Sequence, residues 1–490
     1  MNLIVPILLA FPSLQDAPIA PAQDPPTLEI TLQDALRLGT AYSLALQASE
    51  AIEDSARYER DARWARFDWK LRVEGSLTDA QHEGSSELSG APILDQQDQG
   101  LTMSLTRPTT AGPTFEVIYN SEETTTNNSF AYLPHSTTGT LTLGITQSLL
   151  AGRGRDYVTS MQFQGENDLA FQSESVRAVR RALVEQVLQA YWSLVSAQGA
   201  MESADMGVEY AEEFLKLAQD RYAAGVGLEL DILQAQTEVA VRTQTRTQLH
   251  IGRMYAEDTL RQFLYTTNSP RAWSEELIAV DELPEFDSEP ALPSWEESYL
   301  DVRRISPEIR QQELKLSTAN RLLHVAESDE QSRLDFQLRI STRGFEKSAF
   351  DAWEESIAAE YPSLTAAIRW DLPLSGAEPR ARARKTRAEV RNAQLELDSA
   401  ERKLTSNLRV VMRALELQHL AFKSAESSQE LATRQHKIEL ARYREGRSTA
   451  MRVLAAQQVL LEARASMLEA RATHVIARGQ LEVLLGQHDR

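Results

Sequence analysis

The sequence predicts a mostly α-helical protein with a β-barrel portion, built from a helix–strands–helical-hairpin repeat that occurs twice. Three observations carry this. Proline is absent between Pro134 and Pro270 and again after Pro379, which leaves two long stretches free to be helical. Segments of alternating apolar and polar residues lie ahead of each stretch. Short motifs from the start, middle and end of the first half recur in the same order in the second.

Composition narrows the class. The 490 residues carry 51 Lys and Arg against 71 Asp and Glu, a net charge of −20, which argues against nucleic acid as a partner. Cysteine is absent, which removes disulfides, thiolate metal sites, Cys nucleophiles and a lipidated N-terminal Cys. Mean hydropathy is −0.38, and beyond residue 20 no run of 18 apolar residues occurs, so a helical membrane span is ruled out. Barrel strands escape that test because they alternate.

Residues 1–22 read as an export signal: residues 3–11 are apolar, and Ala20-Pro21-Ala22 offers a small-residue cleavage site before Gln23. No Lys or Arg precedes the apolar stretch and Pro6 and Pro12 interrupt it, so an uncleaved, unstructured start is the alternative. Residues 23–30, with Pro25 and Pro26, read as a leader without structure.

The helical stretches show their period. Val176, Val179, Leu183, Val187, Tyr191 and Leu194 recur at spacings of three and four, and Leu395, Leu404, Leu408, Val411 and Leu415 read as a similar stripe at helical period. From Arg380 to Glu445 neither Gly nor Pro occurs across 66 residues. A helix of that length runs about 100 Å at about 1.5 Å per residue and needs a coiled-coil-like partner. Strands are predicted where Leu71, Val73 and Leu77, then Leu101, Met103 and Leu105, then Phe115, Val117 and Tyr119, then Leu141, Leu143 and Ile145 alternate with polar residues. The second half repeats the pattern at Phe336, Leu338 and Ile340 and at Leu364, Ala366, Ile368 and Trp370. Strands of about 8–10 residues with one apolar face suit a barrel in lipid around a wet lumen, and equally half of a soluble sandwich. Aromatic residues at strand ends and in loops, among them Trp69, Phe345, Trp353 and Trp370, are what an interfacial girdle needs and favour the barrel.

The duplication is arithmetical. Thr31-Leu-Gln-Asp aligns with Ser294-Trp-Glu-Glu at an offset of 263, each a hydroxyl residue followed three positions later by an acid in the capping-box pattern. Leu150-Ala151-Gly152 aligns with Leu374-Ser375-Gly376 at 224, and Arg221-Tyr222-x-x-Gly225 with Arg442-Tyr443-x-x-Gly446 at 221. The offset falls by 39 before residue 150, so the extra length of the first copy lies in its strand region, four strands against two. Repeat 1 therefore covers 31–268, with strands in 69–148 and a helical hairpin turning at 225–229. Repeat 2 covers 294–486, with strands in 334–372 and a hairpin turning at 446–450, before a tail at 487–490. Between them, 269–293 is an acidic, proline-rich linker expected to be exposed with little structure of its own; 270–300 hold nine acids against one base, Arg271.

The order and spacing of Leu32-Gln-Asp-Ala-Leu-Arg-Leu, Gln147-Ser-Leu-Leu-Ala-Gly-Arg-Gly and Arg221-Tyr-Ala-Ala-Gly-Val-Gly-Leu-Glu-Leu-Asp-Ile-Leu-Gln-Ala-Gln complete the picture. Over roughly residues 28–488 the arrangement resembles the TolC-like outer-membrane efflux proteins, the outer membrane factors. The resemblance implies a homotrimer with one shared transmembrane β-barrel in outer-membrane lipid and a trimeric α-helical tunnel extending into the periplasm. It implies a passive exit channel of a tripartite efflux or type I secretion system, docking a periplasmic adaptor (membrane fusion) protein and an inner-membrane transporter, with no enzymatic activity. Independently of it, a chain with this few strands cannot close a barrel, and edge strands in lipid leave backbone groups unpaired, so assembly is required.

By the same resemblance Gly225, Val226, Gly227, Leu228 and Gly446 belong to the tips where the adaptor docks. Asp231, one turn into the returning helix, is expected to hold a closed tip through an ion pair with Arg447 or Arg452. Alternatively Val226 and Leu228 merely cap the hairpin and Asp231 is a solvated first-turn acid. Two departures matter. Some family members carry acids on the pore side of the second hairpin where this chain has Arg452 and Ala455, so a cation-selective ring does not carry over to that position. Six strands per chain also exceed the four usual in the family. Either the barrel is wider or the 101–120 hairpin lies outside it, and the clean alternation there favours the wider barrel.

No metal or cofactor is expected: the eight histidines show no i, i+4 pair or carboxylate cluster, and no phosphate loop or catalytic triad is visible by motif. The cargo is not legible, because that choice belongs largely to the pump. The basic run from Arg380 to Arg391 reads as the solvated start of a helix, and 80–99, 121–138 and 345–363 as extracellular loops. The rival of a different class is a structural envelope coiled coil or adaptor-like protein without an open lumen, which has no use for alternating strands.

Overall fold

The computed structural model describes residues 27–84, 90–264, 273–284 and 294–487; the export signal read at 1–22 lies outside the described residues. In chain order, β1 (Thr27–Ile30) leads into α1 (Leu32–Tyr42) and α2 (Leu44–Trp64), followed by β2 (Lys70–Glu83), β3 (Ile93–Pro108), β4 (Thr114–Thr126) and β5 (His135–Ser148). The one-turn α3 (Arg155–Val158), the 64-residue α4 (Ser160–Ala223) and α5 (Glu229–Leu264) complete the first pass. The second pass comprises β6 (Glu276–Ala279), α6 (Trp295–Ile305), α7 (Pro307–Asp329), β7 (Arg333–Glu346), α8 (Ala349–Ala358), β8 (Ser363–Asp371), the 68-residue α9 (Ala377–Arg444) and α10 (Ala450–Leu484). The described residues form two compact units, one drawn from 27–43, 186–264, 273–284 and 418–476, the other from 44–84, 90–185, 294–417 and 477–487.

The second unit holds the strands. All six long strands form one antiparallel sheet in the order β2-β3-β4-β5-β7-β8. The last strand of the first repeat pairs with the first strand of the second, Leu143 opposite Ile340. The 101–120 hairpin pairs within this sheet, Met103 opposite Tyr119. Successive side chains alternate between faces. The row Val73, Met103, Tyr119, Leu141 is therefore apolar along one face, while Arg72, Ser104, Ile118, Thr142, Ser341 runs along the other. Among the described residues β2 and β8 pair on one side only.

Helices in this unit pack on thin seams. Val302 of α6 meets Leu408, Val411 and Leu415 of α9 and Ala477 and Leu481 of α10. Ser306 closes α6 and caps α7, accepting from the Ile309 amide, and Pro307 sits in the first turn where its missing N–H costs nothing. The basic run at the start of α9 is solvated and carries exposed ion pairs: Arg387 with Glu327 of α7 at 2.7 Å and Arg382 with Glu378 at 3.0 Å. Near the foot of the sheet, Tyr157 donates to Asp329 at 2.8 Å; burial, and after it that carboxylate, pushes the hydroxyl up to about 12.

The first unit corrects two expectations. The end of the leader and the described part of the linker are not structureless: β1 and β6 pair in parallel, Leu28 beside Leu277. The linker's acids mislead because their partners are remote in sequence. Arg253 of α5 holds Glu276 at 2.5 Å, and Glu257, itself bound by Arg261, accepts the Leu277 amide at 2.8 Å. Tyr191, fully buried, donates to Asp281 at 2.7 Å, and the same carboxylate accepts the Leu32 amide at 2.7 Å. Burial first, then the hydrogen bond to Asp281, raises the Tyr191 hydroxyl well above its ordinary value. Thr31 caps α1 by accepting from the Asp34 amide at 3.2 Å, and in the other unit Ser294 caps α6 through Glu297 at the same distance.

Candidate functional site

The repeated Arg-Tyr-x-x-Gly is a helix-ending device. In the first turn the Gly225 amide donates to the Tyr222 carbonyl at 2.9 Å and the Val226 amide to the Arg221 carbonyl at 3.0 Å. In the second, Gly446 donates to Tyr443 at 3.0 Å and Arg447 to Arg442 at 2.8 Å. This is the Schellman pattern, which places one residue in the left-handed region. Gly225 and Gly446 take it, with φ of 74° and 76°. Gly227 has a different reason: a Cβ there would stand 2.7 Å from the Tyr222 amide nitrogen.

A clasp joins the two hairpins. Arg221, at the end of α4, lays its guanidinium over the Tyr443 ring of α9. Its Nη1 donates to the carbonyls of Tyr443, at 2.5 Å, and Arg444, at 3.2 Å. The Tyr443 hydroxyl in turn donates to Asp231 in the first turn of α5 at 3.2 Å. Burial, then the Asp231 charge, raises the Tyr443 hydroxyl above its ordinary value. Beneath the clasp, Phe214, Ala218, Ala235, Ala450 and Val453 are buried together, and the three alanines let the helices approach closely.

The anticipated tip residues divide between the two turns. Gly225, Val226, Gly227, Leu228 and Asp231 share the first hairpin; Gly446, Arg447 and Arg452 share the second. Val226 and Leu228 are two-thirds exposed. The expected ion pair does not form within one chain: Asp231 is taken by Tyr443, and Arg447 pairs with Glu445 at 3.4 Å. A phenol reaches Asp231 because Tyr443 is anchored beside it by the ring under Arg221. Arg221 and Tyr443 were visible in the sequence only as part of a repeated motif; their pairing across 222 residues was not.

The second arrangement is the polar face of the sheet. Glu116 and Arg339 lie on strands that flank β5 and meet at 2.8 Å across Gly144. A Cβ at Gly144 would overlap the Glu116 carboxylate, so glycine there keeps the pair flat on the sheet. Thr102 donates to Asn120 at 2.9 Å, and Thr142 and Ser341 are 3.0 Å apart on the same face. Hydroxyls and an ion pair are the lining of a wet surface. Among the described residues no helix is long and apolar enough to cross a membrane.

Comparison with known proteins agrees with this anatomy. Among solved structures, a membrane protein from Pseudomonas aeruginosa superposes with a TM-score of 0.67 at 17% identity, covering 93% of each chain. The outer membrane protein VceC of Vibrio cholerae gives 0.65 at 15%, covering 93% of this chain and 96% of that one. The open state of the Neisseria gonorrhoeae MtrE outer membrane channel gives 0.65 at 16%, covering 93% and 88%. No curated protein matches the sequence. The family model for outer membrane efflux proteins matches residues 109–264 and 301–487, most of both repeats, and the chain belongs to that outer membrane efflux protein family.

Proposed function

We propose that the protein is the outer-membrane exit channel of a tripartite efflux or type I secretion system, a passive duct and not an enzyme. The observation that supports it most is the six-stranded sheet, apolar on one face and polar on the other, with β2 and β8 each paired on one side only. In lipid an unpaired strand edge leaves backbone groups without partners, so β8 of one copy must find β2 of another. With three copies, as the family resemblance implies, six strands each close a barrel of about eighteen, a size that leaves an aqueous channel. The apolar face then meets lipid and the Glu116–Arg339 face lines the lumen. On this reading the long helices continue the duct into the periplasm. The exposed Val226 and Leu228 are offered to a periplasmic adaptor, and the Arg221–Tyr443–Asp231 clasp holds the tips together.

The test is to extract the protein from the outer-membrane fraction in mild detergent, measure its mass by light scattering corrected for detergent, and record conductance in planar bilayers. A trimer that conducts supports the duct. A soluble monomer or dimer overturns it.

A further inference from the structure

The sheet carries a helix on its apolar face. α8 arises within the loop between β7 and β8, and it lies over β5 and β7 at their loop end. Ser348 caps it, accepting from the Asp351 amide at 3.2 Å, and Glu355 accepts the Phe345 amide at 2.7 Å. Ala352 and Ser356 are fully buried against the strands. Thr342 donates to the Ser356 carbonyl at 2.5 Å. Residues beneath the helix are small for a reason: a Cβ at Gly139 would stand 2.8 Å from the Ala352 carbonyl oxygen, and one at Gly344 would overlap it. Gly139 and Gly344 are opposite one another and continue the row that holds Leu141, Leu143 and Ile340. The strands thus give up their own apolar bulk where the helix seats.

What the helix presents instead is a stripe. Phe350, Trp353 and Ile357 follow at spacings of three and four, and all three are exposed, Phe350 by 72%. The stripe has a direction. Trp353 meets Tyr119, in the middle of β4, edge to face at 4.6 Å, whereas Glu355 on the opposite side reaches toward the loop end. Trp353 therefore turns the stripe along the sheet toward its apolar band; Asp351 lies off the stripe, and Glu354, four residues after Phe350 and three before Ile357, borders it on the side away from Trp353.

We infer that α8 is an interfacial membrane helix, seated on the lipid side of the barrel wall, whose Phe350, Trp353 and Ile357 insert among bilayer lipids at the boundary between headgroups and acyl chains. The inference rests on the reading that the apolar face of the sheet meets lipid. The occupant is lipid because the stripe continues that band, and because an aromatic pair at the end of a transmembrane wall is where amphipathic rings partition. Interfacial helices that bind by themselves usually carry basic polar faces; α8 has acids there, and is held by the glycine seat and its cap instead.

The experiment reconstitutes the full-length protein in vesicles of phosphatidylcholine brominated near the glycerol end of the acyl chains. Tryptophan emission is compared among the wild type, Trp353→Phe and Trp370→Phe. Trp370 lies on β8 on the same apolar face, opposite Leu334, and reports whether that face meets lipid at all. The expected result is that the emission lost in each variant is the part quenched by brominated lipid, to a similar extent for both residues. Quenching of Trp370 without Trp353 overturns the inference alone, and iodide then tells whether water or a second copy of the chain covers the helix. Quenching of neither overturns the lipid-facing reading and the inference with it.

Discussion

The guanidinium carbon of Arg221 stands 4.7 Å from the centre of the Tyr443 ring while its Nη1 donates to the carbonyl of that same tyrosine. One side chain from the first hairpin thus adds a second donor to a carbonyl at the helix end of the second, which already accepts from the Gly446 amide, and stacks on its ring. A lysine cannot do both, since it lacks the planar fork. Arg221→Ala is expected to weaken the clasp by about 1–3 kcal/mol, from one lost cation–π contact and two charge-assisted hydrogen bonds. Arg221→Lys should recover only part of it. Amide exchange across 440–447 is the measurement: protection that is unchanged in both variants would remove the clasp as a structural element.

Tyr443→Phe is narrower. It keeps the ring under Arg221 and deletes only the donor to Asp231. The Tyr443 hydroxyl is raised in the fold, by burial first and Asp231 second, so its contribution is complete below the unfolded value of about 10 and is lost as pH rises beyond it. Exchange at the tips should therefore accelerate above about pH 10 in the wild type, and less so in Tyr443→Phe. In bilayers the same variant is expected to conduct more readily at neutral pH, if the clasp holds the tips together.

The exposed side chains at the first turn lead to a binding prediction. Val226 and Leu228 make no buried cluster of their own, whereas Ala235 and Val453 nearby are buried. Leu228→Asp should leave thermal stability within about 0.5 kcal/mol, as surface changes do, yet weaken capture of the cognate periplasmic adaptor at least tenfold. Binding that survives Leu228→Asp and Val226→Asp together would return both residues to the role of hairpin caps.

A buried histidine sets a pH limit. His436 of α9 is 8% exposed, with Tyr210 of α4 against its ring at 5.6 Å and Arg464 of α10 over the ring of that tyrosine. Burial, then the Arg464 charge, lowers its affinity for a proton. The unfolded chain therefore binds more protons than the folded one just below about pH 6.5, and stability present above that pH declines as pH falls through it. Melting measured from pH 7.5 down to 5.5 should drop more steeply for the wild type than for His436→Gln. Parallel curves would assign the acid sensitivity to other groups.

What could be read from the sequence was whatever local period or spacing encodes. The strands were legible because Leu101, Met103 and Leu105 keep one face through a complete alternation, and the caps because Thr31 and Asp34 are three positions apart. The β1–β6 pair was not, because a four-residue strand carries no period and its acids find partners outside any local window, Glu276 in Arg253 and Asp281 in Tyr191. α8 escaped because ten residues within a loop showed their aromatic content but not the glycine seat at Gly139 and Gly344, which only register brings side by side. The tip residues were named by motif, but the partner that Asp231 has within one chain was not: charge pointed to an arginine, and a phenol held in place by another arginine takes the position.

The polar face of the sheet supplies the last prediction. Glu116 and Arg339 neutralise each other at 2.8 Å across Gly144, with Glu116 only 16% exposed and Arg339 nearly half. If this face lines the lumen, Arg339→Gln leaves an uncompensated carboxylate in the wall. The reversal potential under a salt gradient should then shift toward cation selectivity, while Glu116→Gln shifts it toward anions. Both effects should shrink as ionic strength rises, since screening lengths fall to about 3 Å at 1 M salt. Gly144→Val separates the pair sterically, because its side chain would occupy the space through which the carboxylate reaches. It should reduce stability and leave both charges free, so its selectivity stays close to that of the wild type. Opposite shifts in the two charge variants would put this face on the conduction path. No shift in either would put it elsewhere, and the apolar and polar faces of the sheet would have to exchange roles.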